Sequence, residues 1–134
     1  MLYPKELLVP AKTPETSPVS VEIEIAEPLI SRIEVFFPPG CAALVKVRLM
    51  RGTEQVWPRP HGSWASGNNE VVGSAELLKV PMTPIVLRFE GCSPEANFDH
   101  RVLCRIHTLP EEVVRYYESI ERIREELEWL ITTF

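Results

Sequence analysis

Cys92, His100, Cys104 and His107 are the residue types that ligate zinc, and they fall within sixteen positions of one another. Their spacing, C-x7-H-x3-C-x2-H, matches no common zinc pattern. If residues 100–107 form a strand, His100 and Cys104 share one face while His107 points to the other. The four side chains then do not converge, and neither metal nor cofactor is expected. A nucleophilic cysteine would need a nearby base and a lowered pKa. Cys41 follows Pro38-Pro39-Gly40 in a turn, with no local cation to activate it. Asp99-His100 has the composition of a base beside its orienting carboxylate, but adjacent strand residues point opposite ways. Glu90 and Glu95 become a carboxylate pair only if the fold joins them. These patterns predict a protein that is not an enzyme.

The loop at residues 55–69 is the most unusual candidate surface. Gln55, Trp57, Arg59, His61, Trp64, Asn68 and Asn69 combine flat aromatics with hydrogen-bonding groups. Such a set can stack on sugar rings or anchor a protein interface. The competing reading is that Trp57 and Trp64 plug the end of their own domain.

The elements that must position these residues read mainly as strands. Val19, Val21, Ile23 and Ile25 alternate with Ser20, Glu22 and Glu24, the pattern of a half-buried strand. Ile33, Val35 and Phe37 alternate with Arg32 and Glu34 until Pro38-Pro39-Gly40 turns the chain. Val45, Val47 and Leu49 alternate with Lys46 and Arg48, cations suited to lie across from Glu22, Glu24 or Glu34. A short strand is expected at residues 55–57, and one or two over residues 70–80. Clear alternation returns at Ile85, Leu87 and Phe89, then at Val102, Cys104 and Ile106. Seven or eight short strands joined by Pro/Gly turns predict an antiparallel β-sandwich or jelly roll over residues 19–109. Residues 1–18, proline-rich from position 10, are expected to be an extended arm.

The tail differs in kind. Thr108-Leu109-Pro110-Glu111 has the form of a helix capping box, and 24 residues without proline or glycine follow Pro110. Val113, Tyr116, Ile120, Ile123, Leu127, Leu130 and Phe134 step 3-4-3-4-3-4, a continuous heptad seam. Tyr117 and Ile131 widen it. This predicts an amphipathic helix over residues 110–134. It packs either on its own sandwich or in a coiled coil between subunits. The strict period favours a coil, and the widened stripe favours three strands, hence a homotrimer.

Composition limits the partners. The 134 residues carry 14 Lys+Arg against 19 Asp+Glu, for a net charge of −5. Residues 1–110 are nearly neutral, with 11 basic and 12 acidic side chains, whereas residues 111–134 hold three arginines and seven glutamates. No basic patch marks a nucleic-acid binder. No run of about 18 apolar residues marks a membrane span, and the N-terminus does not read as a secretory signal. Three cysteines cannot pair completely within one chain, so synthesis in a reducing cytoplasm fits.

Phe36-Phe37-Pro38-Pro39-Gly40-Cys41-Ala42-Ala43-Leu44-Val45-Lys46-Val47 carries a resemblance, joined by Gln55-Val56-Trp57-Pro58, the Trp64 loop, Asn68-Asn69, the Pro84-Ile85 strand and the His100 strand. Over residues 13–107 the chain resembles a loose group of small uncharacterised β-sandwich proteins of thermophilic prokaryotes and their viruses. The resemblance implies turn and core positions rather than catalytic ones. It further implies a virion-associated role, as a capsid decoration or head–tail component. The expectation is therefore an oligomeric structural protein that binds a larger assembly such as a capsid. The alternative is a carbohydrate-binding module built on the Trp57/Trp64 loop.

Overall fold

The computed structural model describes residues 1–79 and 84–133. Val80, where the expected seventh-decade strand ends, and Phe134, the last seam position, lie outside the described residues. Nine strands precede one helix: β1 (Leu2–Val9), β2 (Val19–Ile25), β3 (Leu29–Phe37), β4 (Lys46–Arg51), β5 (Glu54–Trp57), β6 (Ala65–Ser66), β7 (Glu70–Lys79), β8 (Ile85–Cys92), β9 (His100–Leu109) and α1 (Glu111–Thr133). They form two antiparallel sheets, β1-β9-β3-β7 and β2-β8-β4-β5, with β6 paired to β4. If the two-residue β6 is set aside, the eight longer strands, ranked in chain order, run 1-8-3-6 and 2-7-4-5.

Alternation decides which faces meet. Ile33, Val35 and Phe37 of β3, with Val102, Cys104 and Ile106 of β9, form the inner face of one sheet. Val47 and Leu49 of β4, with Leu87 and Phe89 of β8, oppose them from the other. All ten side chains are buried, each large aliphatic or aromatic one contributing about 1.5–3 kcal/mol relative to exposure. The outward residues pair across strands, but not with the partners that the sequence suggests. Arg48 lies opposite Glu90 on β8, and Glu22 lies opposite Arg88, because β8 runs between β2 and β4.

Three further expectations change. The arm is not an arm from residue 1, since β1 pairs with β9 along its whole length and buries Leu7 and Val9. Pro4 is compatible with that because β1 is an edge strand, where a missing N–H costs no ladder bond. Residues 10–18 lie against their own sandwich: Lys12 N–H donates to Ala96 O (3.1 Å), and Ser93 N–H donates to Thr13 O (3.0 Å). Strand count rises to nine because β1 and β6 join and β7 runs unbroken. Thr108 does not take the helix N-cap position that the capping box expects. Thr108 sits within β9, its hydroxyl donating to Met1 O (3.2 Å), and α1 begins only after Pro110.

Gly73 marks the closest approach between β3 and β7. A Cβ there would meet Ile33 O at 2.5 Å and Glu34 Cα at 2.9 Å, backbone atoms that cannot step aside. Gly73→Ala is therefore expected to lower unfolding free energy by about 1–3 kcal/mol, measured by urea denaturation. Ala75→Gly, two residues along the same strand face, should cost less than half as much.

Candidate functional site

The 55–69 region folds back on its own domain. Gln55 is buried, and its amide Nε2 donates to Pro58 O (2.6 Å) and Ser63 O (2.9 Å). Its Oε1 accepts from Gly62 N–H (3.1 Å), and its backbone N–H donates to His61 Nε2 (3.3 Å). One glutamine thus ties the loop closed from inside. Trp57 is 5% exposed, at the rim of the core, with its indole Nε1 donating to Ser74 Oγ on β7 (3.1 Å). Ser74 Oγ in turn donates to Glu76 Oε1 (2.8 Å). The Trp57–Ser74 bond links the edge strands of the two sheets.

Trp64 is half-buried beneath Arg48, whose guanidinium carbon lies 4.2 Å from the ring centroid. Arg48 also reaches Glu90 (3.2 Å), and Glu90 is held from its other side by Arg88 (2.9 Å). The two tryptophans therefore share no platform: Trp57 faces inward, and Trp64 has an arginine on one face. Asn68 Oδ1 accepts from Gly40 N–H and Ala42 N–H, both at 3.1 Å, which fixes the turn after β3. Asn69 takes a left-handed backbone conformation (φ 50°). Arg59, His61, Asn68 and Asn69 are exposed.

The candidate ligands and nucleophiles are dispersed. Cys104 lies on the inner face of β9, where burial pushes its thiol up to about 12. Burial also raises the Cys41 and Cys92 thiols, which works against a thiolate at any of the three. Asp99 Oδ1 accepts from Ala11 N–H (2.8 Å), so it orients the N-terminal segment and not His100. Glu90 is engaged by two arginines. His107 turns outward and donates from Nε2 to Glu34 (2.7 Å), which also accepts from Arg32 Nε (3.2 Å). Among the described residues, no group of three or more His, Cys, Asp or Glu is arranged to hold a metal ion. None of the described helices is long and apolar enough to cross a membrane.

The described seam residues form an exposed apolar stripe along α1. Tyr116 is 74% exposed, Ile120 60%, Ile123 56% and Leu127 53%, with Leu130 and Val113 also exposed. Glu118 forms an ion pair with Lys79 at the end of β7. At 100° per residue, Glu118 lies about half a turn round the helix from the seam. The Lys79–Glu118 pair therefore lies on the side of α1 away from the seam, and the described helix residues on both sides are almost all exposed. Sequence periodicity located this stripe; it held no signal for the Arg48–Trp64 stack or the Trp57–Ser74 bond, whose partners are distant in the chain.

No family model matches the sequence, and no curated protein matches it. A solved structure described as "Crystal Structure of FLHE" aligns with 78% of this chain and 95% of its own, at 13% identity and a TM-score of 0.42. A likeness that weak carries no functional argument.

Two outcomes follow from these contacts. Gln55→Ala leaves Gly62 N–H and two carbonyls without their partner, so stability should fall by about 1–3 kcal/mol in denaturant titrations. The His107 hydrogen bond is the main cause that holds the Glu34 carboxyl below its ordinary 4.5. A carboxyl with a depressed folded pKa stabilises above its unfolded value and loses that contribution as pH falls through the folded one. Glu34→Gln should thus be less stable than the parent at neutral pH, and the gap should close as pH falls below 4.5. Thermal unfolding across pH 3 to 7 checks this; a gap that stays constant would remove the linkage.

Proposed function

We propose that this chain is a non-enzymatic structural protein whose C-terminal helix joins three copies and carries the sandwich into a larger assembly. One observation carries the reading: the apolar seam of α1 stands exposed, on the side away from the Lys79–Glu118 pair. A stripe of this length must be buried somewhere, and each Ile or Leu covered contributes about 1.5–3 kcal/mol. The 3-4 spacing suits knobs-into-holes packing against identical helices. Ile120 and Ile123 occupy both kinds of seam position at the centre, a pattern that favours more than two strands. Ile131 widens the stripe in the same direction.

The strand order supports the finer description of the sandwich as a jelly roll, since two interleaved four-stranded sheets are its architecture. Jelly rolls recur in viral capsids and in lectins, so the fold suits either role and decides neither. The resemblance of residues 13–107 supports the virion, with this protein as a decoration or head–tail component. The loop groups committed to internal bonds, and the raised thiols, support a role in assembly over chemistry.

Sedimentation equilibrium of the full chain is expected to give three times the 15.3 kDa chain mass. Replacing Ile120 and Ile123 together by Asp should give a monomer whose sandwich keeps its urea midpoint, since both side chains are exposed and lie outside the core. A parent chain that sediments as a monomer across the micromolar range overturns the proposal.

A further inference from the structure

The two sheets are closed differently along their two sides. On one side, β1 packs against β2. On the other, four-residue β5 faces ten-residue β7, so the inner face of β7 beyond Ser74 has no opposing strand of equal length. A cleft of about 160 Å³ opens there. Ile30 and Leu87 form its buried floor, and Val56, Leu78 and Ile85 form half-buried walls. Arg51, Arg59 and Lys79 stand at its rim with Glu54. Arg51 is paired with Glu54 (2.7 Å), and Lys79 with Glu118. Arg59 is exposed and makes no hydrogen-bonded ion pair among the described residues, although its charge also acts on Glu54.

We propose that this cleft binds a small monocarboxylate with an apolar body of about six carbons. Size sets the body: an apolar cavity of roughly 150 Å³ takes a molecule the size of benzene, whereas cofactor-sized pockets run to about 300–1,000 Å³. Charge sets the head. Among the described residues, Arg51, Arg59 and Lys79 stand against Glu54 and Glu118, which leaves one net positive charge at the mouth for one anion. An uncharged ligand would leave Arg59 unused, and a dianion would meet Glu54. The inference is independent of self-association, because the cleft lies between the sheets and the seam lies on the far side of α1.

Heptanoate and 1-hexanol share a six-carbon tail and differ in the head, so they separate the two parts of the claim. In methyl-detected NMR of the full chain, heptanoate is expected to shift Val56, Leu78, Ile85 and Leu87 beyond any shift given by equal sodium chloride. Hexanol should bind about fivefold more weakly, the scale of one exposed ion pair. Arg59→Glu, a surface change, should weaken heptanoate by a similar factor and leave hexanol unaffected. Leu78→Phe, which fills the cleft, should abolish both sets of shifts; if that variant does not fold, Arg59→Glu alone decides. Absence of cleft shifts, shifts mapping elsewhere, or equal affinity for hexanol and heptanoate would each overturn the proposal.

Discussion

Everything in the sandwich depends on one constraint, the register of β3 between β7 and β9. Side chains alternate with period two, so a slip of one residue would turn Ile33, Val35 and Phe37 to water and bring Arg32 and Glu34 into the core. The cost of exposing three large apolar side chains and burying two charges far exceeds the net stability of a domain this size. Register is then fixed again from outside. Glu34 sits opposite Arg105 on β9, takes hydrogen bonds from His107 and Arg32, and packs over Gly73 on β7. A carboxylate with partners on its own and a neighbouring strand, above a glycine that admits no Cβ, cannot move by one residue without losing all of them.

That division explains what was legible in the sequence. β2, β3, β4, β8 and β9 each carry a clean alternation, because each has one face on the core and one on water. β1 was missed for the opposite reason. As an edge strand it needs only Leu7 and Val9 well buried, so Pro4, Lys5 and Glu6 interrupt the pattern without harm. Cross-strand partners were not legible at all. Lys46 and Arg48 suggest carboxylates opposite both, but with β8 between β2 and β4 only Arg48 faces one, Glu90, while Lys46 lies opposite Cys92 and Ser66. Sheet order is a property of topology, and no local pattern encodes it.

The loop at residues 55–69 shows the same limit at the level of function. Tryptophans, amides and a histidine are the composition of a binding surface, and they are equally the composition of a loop that must satisfy its own backbone. Gln55 serves Gly62, Pro58 and Ser63 at once, and Asn68 serves Gly40 and Ala42. Each of these bonds removes a group that would otherwise recognise a ligand. Among the seven candidates in that loop, Arg59 is the one whose charge remains at a rim, and it borders a cleft whose apolar walls come from β3, β5, β7 and β8. The chemistry of that place is assembled from residues that individually read as core.

The helix obeys a different logic from the sandwich it follows. In the sheets, apolar side chains are hidden by a second face of the same chain. In α1 they are arranged as regularly, yet they stand exposed, and it is Glu118 on the other side that meets Lys79. A monomer would gain by the reverse orientation, with the seam on the sandwich and Glu118 in water. The exposed Lys79–Glu118 pair is worth too little to hold the helix against that gain, since such pairs contribute about 0–1 kcal/mol. The proposed self-association would supply the missing cover, and the acidic excess of residues 111–134 would then ring the apolar core that the copies share.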